Sequence, residues 1–320
     1  MTPLLEVKDL RTSFLTGAGE VRVVDGVSFA VEPGKLMGLV GESGSGKTVS
    51  VLSIMRLLPE RARIVGGSIR FEGQDLLALD EPRMRAIRGA KIAMVFQEPM
   101  TSLNPVFTIG SQIGEAVRLH QHTARRETLE RTIEALRLVG IADPERRVND
   151  YPHQLSGGMR QRVMIAMALA CNPRLLIADE PTTALDVTIQ AQILDLIREL
   201  QARLGLAVIL VTHDLGIVAQ YADDVTILYA ARVMEQAPSA ELFRNPLNPY
   251  TRGLLESIPG ADSVHHRRLR AIAGTIPNAL HPPSGCRFHP RCPMVIDECA
   301  RVVPPLEAKA PQHMVACIRV

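Results

Sequence analysis

The sequence has little that would tie it to a membrane interior, a nucleic acid or the outside of a cell. No apolar run approaches the roughly 18 residues of a membrane-spanning helix. Formal net charge is only +2, far from the basic surplus of a nucleic-acid surface. The opening residues Met1-Thr2-Pro3-Leu4-Leu5-Glu6 lack the basic-then-apolar design of a secretory signal. Cysteine is scarce, five in 320 residues, which argues against a disulfide framework. Tryptophan is absent, and so are low-complexity segments and internal repeats. These absences point to a cytosolic chain that can still dock on a membrane protein. The cysteines are also unevenly placed, since four of the five follow residue 285. What remains is ordinary for a globular protein: 46% apolar residues, enough for a sizeable core, and a length that suggests about two domains.

The most informative stretch is Gly41-Glu42-Ser43-Gly44-Ser45-Gly46-Lys47-Thr48. It fits G-x-x-x-x-G-K-[ST], and its surroundings match: Leu36–Val40 reads as a buried strand and Val49–Leu58 as a helix. The glycines let successive backbone N–H groups converge on one point. The helix N-terminus adds partial positive charge there. Lys47 can reach the β- and γ-phosphates of a nucleotide, and Thr48 can offer its hydroxyl to Mg²⁺.

Around this loop the pattern alternates. Residues 4 to 32 read as an antiparallel hairpin. Gly66–Phe71 is a strand followed by a turn at Glu72-Gly73, and Ile92–Phe96 is a short buried strand. From Ile109 to Val148 the spacing is helical, punctuated by Gly140 and Pro144. Met159–Ala170 and Ile189–Leu204 are helices. Leu175–Ala178 and Ala207–Val211 are apolar strands. Strands apolar throughout, alternating with helices, predict an α/β fold with a parallel sheet covered on both faces. After about Gly260 regularity fades, and a separate small module is expected.

Two further stretches carry chemistry. Leu175–Ala178 runs into Asp179-Glu180, and such a pair at the end of a parallel strand faces a nucleotide. Asp179 would hold Mg²⁺ and Glu180 would polarise the attacking water. Pro181 then forces a loop. Leu155-Ser156-Gly157-Gly158-Met159-Arg160-Gln161 opens the helix near Met159, with Ser156 as a plausible N-cap and exposed glycine N–H groups as a second anion-binding start.

In combination, Gly41–Thr48, Gln97 in Phe96-Gln97-Glu98-Pro99, Leu155–Gln161, Asp179-Glu180, Asp186 in Ala184-Leu185-Asp186, and His213 in Thr212-His213-Asp214 resemble the ATP-binding-cassette ATPases. The resemblance spans roughly residues 4 to 255. It implies that Leu155–Gly158, with Gln161 beyond, is the family signature presented to the nucleotide of a facing subunit. It makes Gln97 the Q-loop glutamine that senses Mg²⁺ or water, Asp186 the D-loop acid and His213 the switch histidine at the γ-phosphate. Phe14 sits where the family stacks an aromatic on adenine. Every motif is intact, Glu180 included, so hydrolysis of ATP is expected.

A narrower resemblance is to the bacterial oligopeptide/dipeptide importers. It rests on Pro99-Met100-Thr101-Ser102-Leu103-Asn104-Pro105, on Asn248-Pro249-Tyr250-Thr251-Arg252-Gly253-Leu254-Leu255 and on Pro283-Ser284-Gly285-Cys286-Arg287-Phe288-His289-Pro290-Arg291-Cys292-Pro293. It implies a cassette domain over 1–258, with a helical subdomain around 100–165, and a C-terminal extension over 259–320. It further implies a second, distinct ATPase chain, two transmembrane permeases, and indirectly a substrate-binding protein, at the cytoplasmic face of the bacterial inner membrane. The cargo would be di- or oligopeptides, with nickel complexes and glutathione as relatives' alternatives. No nucleic-acid partner is expected. Non-transport cassettes are the rival class. Their repair types insert long coiled coils for which residues 49–155 leave no room, and their ribosomal types usually carry two cassettes per chain. A regulator that only binds ATP is disfavoured by Glu180.

Cys286, Cys292, Cys299 and Cys317 are spaced C-x5-C-x6-C-x17-C. Thiolates take soft or borderline metals. The spacing lacks the close pair usual for structural zinc and departs from the common ferredoxin patterns, so the residues alone leave the metal open. His281, His289 and His313 are alternative zinc ligands. The family resemblance implies one [4Fe–4S] cluster on the four cysteines. Cys171 reads as a core residue.

Overall fold

The computed structural model describes residues 2–17, 19–97, 102–183, 185–257 and 272–320. Pro99, Met100 and Thr101 of the importer-like motif, Ala184 and the stretch 258–271 lie outside them. The chain forms two compact units: Met1–Glu32, Leu36–Leu77 and Val211–Val320 make the first, and Pro33–Lys35 with Ala78–Leu210 make the second.

The first unit opens with β1 (Leu5–Thr16) and β2 (Gly19–Val31), the expected hairpin. Then come β3 (Leu36–Val40), buried at every position, and helix α1 (Lys47–Met55). β4 (Ala62–Phe71) and β5 (Gln74–Asp75) follow across the predicted Glu72-Gly73 turn. β2-β1-β4-β5 form an antiparallel sheet.

The second unit holds α2 (Glu81–Ile87), β6 (Ile92–Val95), α3 (Ile109–Gln121), α4 (Arg125–Leu138), α5 (Pro144–Arg147), α6 (Gly157–Leu169), β7 (Leu175–Asp179) and α7 (Val187–Leu204). β6 and β7 pair in parallel. Asp80, Thr108, Ser156 and Asp186 each cap a helix by accepting a backbone N–H, which satisfies donors the first turn leaves free. The division between the units falls inside β8 (Ala207–Thr212).

Back in the first unit are α8 (Leu215–Tyr221), β9 (Asp224–Tyr229), β10 (Arg232–Pro238), α9 (Ser239–Arg244), α10 (Pro249–Glu256), β11 (Glu307–Ala310) and β12 (His313–Val315). Here β3 and β9 are parallel, but β9-β10, β10-β12 and β12-β11 are antiparallel. The sheet is therefore mixed where an all-parallel one is predicted. The reason is local. β9 returns as β10 through Ala230-Ala231, both at positive φ (43° and 73°), and no Asn-Gly announces that two-residue turn. The described part of the tail is not packed by itself. β12 pairs with β10, and Phe288 joins Tyr229 and Tyr250 in one buried cluster. Among the described residues, no helix is long and apolar enough to cross a membrane.

Candidate active site

The loop between β3 and α1 is shaped by two backbone carbonyls. A Cβ on Gly41 would lie 2.1 Å from the Leu228 oxygen, and one on Gly46 would lie 2.4 Å from the Val23 oxygen. Gly46 also has φ of 99°, where a side chain is strained. Only glycine fits at either position. Lys47 opens α1, is 5% exposed, and donates from Nζ to the Gly41 oxygen at 2.7 Å and the Glu42 oxygen at 3.1 Å. The Ser45 hydroxyl is buried with no hydrogen-bond partner among the described residues, an orphan polar atom inside the cradle. Ser43 and Gly44 are exposed, and Thr48 is half-buried one residue into the helix. Phe14 is half-buried on β1, opposite Val21 and Ala62. His213 is exposed just past β8, and Asp214 beside it caps α8, accepting from the Gly216 and Ile217 N–H groups.

The second unit holds the carboxylate pair. β7 is buried along its length and ends at Asp179, which is 2% exposed. Glu180 follows in the left-handed region with φ of 45°, an unusual conformation for a non-glycine residue that clusters at functional sites. Its Oε2 accepts from Gln97 Nε2 at 2.9 Å and from the Thr183 hydroxyl at 3.1 Å. Gln97 and Glu180, 83 residues apart, are thus brought together. Carboxylate, hydroxyl and amide oxygens are hard donors of the kind Mg²⁺ takes: the second unit offers those of Asp179 and Gln97, and the first offers the Thr48 hydroxyl.

Ser156 caps α6 as predicted, its Oγ accepting from the Met159 N–H at 3.3 Å. Ser156 and Gly157 are exposed. A Cβ on Gly158 would lie 2.8 Å from Ile189 Cγ2. Gln161 differs from expectation. It is 0% exposed and its amide has no hydrogen-bond partner among the described residues, so it does not look outward with the signature. It shares a face with buried Met164 and Ile165 at helical spacing. Asp186 is exposed and caps α7, accepting from Ile189 N–H at 2.9 Å.

In the first unit, Cys286, Cys292, Cys299 and Cys317 line a single apolar pocket of about 20 Å³, and all four are unbridged. Burial pushes the Cys286 and Cys292 thiols up, and the neighbouring cysteines add to the rise. Two sulfurs accept a backbone N–H two residues on, Cys292 from Met294 and Cys317 from Arg319, each at 3.4 Å. Among the described residues, no three His, Cys, Asp or Glu side chains meet closely enough to hold a single metal ion. His313 is spent on Glu235, at 2.7 Å. His289 contacts the Cys286 oxygen through Nδ1, and His281 is exposed. Cys171 is half-buried, with its thiol near the Ala116 oxygen. No sequence signal marks Asp25, and the importer-like motif that contains Arg291 does not announce its contact with Glu42.

Residues 24–183 match the family model described as ABC transporter, and residues 234–299 match that of the oligopeptide/dipeptide transporter C-terminal region. A protein of Sinorhizobium fredii named as a probable peptide ABC transporter ATP-binding protein is 54% identical over 99% of this chain and 95% of its own. A Brucella ovis protein named for peptide import and ATP binding is 54% identical over 99% of this chain and 97% of its own. Among solved structures, a dimeric ATP-binding cassette in a post-hydrolysis state with ADP and Pi aligns with a TM-score of 0.66 at 28% identity, over 73% of this chain and 98% of that one. A Clostridium perfringens subunit of an ABC transporter complex aligns at 0.65 and 27%, over 77% and 92%.

Proposed function

This chain belongs to the ABC transporter family, and we propose that it is the ATP-hydrolysing subunit of an importer of di- or oligopeptides. The observation that carries the reading is one chain joining two parts. One is a phosphate loop whose Gly41 and Gly46 leave no space for a side chain; the other is a tail of peptide-transporter type. In this reading the N–H groups of Gly41–Thr48 and the Lys47 ammonium hold the β- and γ-phosphates. Phe14 stacks on adenine. Thr48, Asp179 and Gln97 are the residues that would hold Mg²⁺, and the ion would offset phosphate charge. Glu180 orients and polarises the water that displaces ADP from the γ-phosphorus, and His213 steadies the γ-phosphate.

One chain carries one phosphate loop and one signature, so a second ATPase chain completes each site, probed by Ser156, Gly157, Gly158 and the D-loop Asp186. We assign that partner to a distinct paralogue, beneath two permeases at the cytoplasmic face of a bacterial inner membrane, with the helical subdomain near Gln97 to Gln112 receiving a permease helix. The peptide names of the relatives favour peptides over nickel complexes or glutathione. The isolated chain is expected to hydrolyse ATP slowly. Reconstitution in vesicles with both permeases and the second cassette should raise the rate and drive peptide uptake, and Lys47→Ala should abolish nucleotide binding and both activities. Rapid turnover by a purified monomer would overturn the shared-site reading.

The tail cysteines support a finer proposal, one [4Fe–4S] cluster on Cys286, Cys292, Cys299 and Cys317. Each thiolate of such a cluster binds a different iron, so the four need not meet at one point. The shared apolar pocket and the N–H···S contacts fit that donor set. ATP-driven transport has no redox step, which makes the role structural, a staple for a small module. Anaerobically purified protein should be brown, with about four irons and four sulfides per chain. Colourless anaerobic protein with one zinc, or with no metal, would remove the cluster and leave the ATPase reading standing.

A further inference from the structure

The cysteine tail touches the phosphate loop directly through the Arg291 side chain. Arg291 stands one residue before Cys292, and its side chain is 5% exposed. Nη1 donates to Glu42 Oε2 at 2.8 Å and Nη2 donates to Glu42 Oε1 at 3.2 Å, a two-pronged grip on the second residue of the loop. The other donors are also used: Nε to the Ala273 oxygen at 3.0 Å, Nη1 to the Tyr229 hydroxyl at 3.3 Å, Nη2 to the Ile272 oxygen at 3.4 Å. The guanidinium carbon lies 5.7 Å from the Tyr229 ring centroid. A planar fork engaged on every nitrogen holds one orientation, which a flexible ammonium would not.

Glu42 is held as firmly through its backbone. Its N–H donates to the Tyr250 hydroxyl at 3.2 Å, and its oxygen accepts from Ser45 N–H at 3.2 Å and from Lys47 Nζ at 3.1 Å. The contacts therefore run from Arg291 through Glu42 to Lys47. A second route starts at Arg287, beside Cys286, which donates to Asp25 Oδ2 at 2.8 Å. The Asp25 N–H donates to the Ala231 oxygen and the Ala231 N–H to the Ser45 oxygen, at 2.8 and 3.0 Å. Each of the first two cysteines thus adjoins an arginine whose contacts end on the loop. Chemically, a carboxylate in a loop that must accept a polyanion is a liability, and Arg291 offsets its charge while fixing its place.

We propose that Arg291 is a positioning residue for the phosphate loop, so that docking of the cysteine tail sets the chain's affinity for a nucleoside triphosphate. The proposal rests on reading Gly41–Thr48 as the ATP site. Its test is titration of the full chain with a fluorescent trinitrophenyl ATP analogue, alongside ATP kinetics of the reconstituted complex. Arg291→Gln should bind the analogue roughly 10-fold more weakly, the fold-change of one lost charge-assisted contact. In the complex, KM for ATP should rise while kcat changes little. Arg291→Lys should recover part of the affinity. Cys292→Ala, which removes the sulfur that accepts the Met294 N–H just after Arg291, should weaken binding in the parent and add nothing in the Arg291→Gln background. Parent-like affinity of a folded Arg291→Gln chain, or additive effects of the two substitutions, would overturn the proposal. Lys47→Ala serves as the control: if it binds as the parent does, the ATP-site reading itself has failed.

Discussion

Glu180→Gln should slow ATP turnover in the reconstituted importer by about 10²–10⁴-fold, the usual cost of losing a well-placed general base, while leaving nucleotide binding intact. The substitution is nearly isosteric. An amide oxygen can still accept from Gln97 Nε2 and from the Thr183 hydroxyl, the two partners of Glu180 Oε2. The left-handed backbone at this position, φ of 45°, is no more strained for glutamine than for glutamate. What is lost is the negative charge and the basicity. Without them the attacking water is no longer polarised, so the loss falls on the chemical step. Phosphate release and analogue binding, measured on the same preparation, separate the two effects. Turnover equal to the parent's would remove Glu180 from the catalytic role. Weakened binding with unchanged kcat would recast it as a structural residue of the loop after β7.

The parts of the fold legible in the sequence are those set by local rules. Leu36–Val40 is apolar at each position except Gly38 and is fully buried. Ser156 obeys capping preference and caps. Glu72-Gly73 turns, with both residues at positive φ. The illegible parts were decided by contacts far apart along the chain. Arg291 and Glu42 are 249 residues apart, and Arg287 and Asp25 are 262 apart. In a sequence such charges read as solvated surface. The Ala230-Ala231 turn carries no glycine or asparagine and is held instead by Ser45 and Asp25 through backbone bonds. Its strain makes sense only once the phosphate loop is packed beside it. Gln161 adjoins a motif that resemblance assigns to the exterior, but its helical spacing with Met164 and Ile165 sends it inward. The Asn248–Leu255 motif, by contrast, turns out to be structural. Asn248 caps α10 by accepting from Tyr250 N–H, and Tyr250 is fully buried with its hydroxyl on Glu42.

That motif is fastened by a buried polar knot, and Glu235→Ala should undo it. Glu235 on β10 and His313 on β12 are both 0% exposed, with Nε2 and Oε1 at 2.7 Å. Glu235 also accepts the Leu247 N–H at 2.7 Å on Oε1 and the Asn248 N–H at 3.1 Å on Oε2. Asn248 continues the knot, donating from Nδ2 to the Met234 and Ala316 oxygens. One carboxylate therefore joins the sheet, the entry to α10 and the returning tail. Removing it strands two N–H groups and one imidazole nitrogen in a dry interior. Breaking a buried pair from one side costs about 3–5 kcal/mol. At roughly 2–4 °C per kcal/mol, that lowers Tm by roughly 6–20 °C. The loss should be felt first in the strands β11 and β12, which hang on β10, so limited proteolysis should cut the tail before the loop at Lys47. The double variant Glu235→Leu with His313→Leu tests the cause. It removes both polar side chains together, and replacing a buried pair by apolar side chains is often neutral. It should melt above Glu235→Ala, though the two stranded N–H groups keep it below the parent. If Glu235→Ala melts within 2 °C of the parent, a shift below the smallest that about 1 kcal/mol produces in a domain of this size, the knot is not what holds the tail.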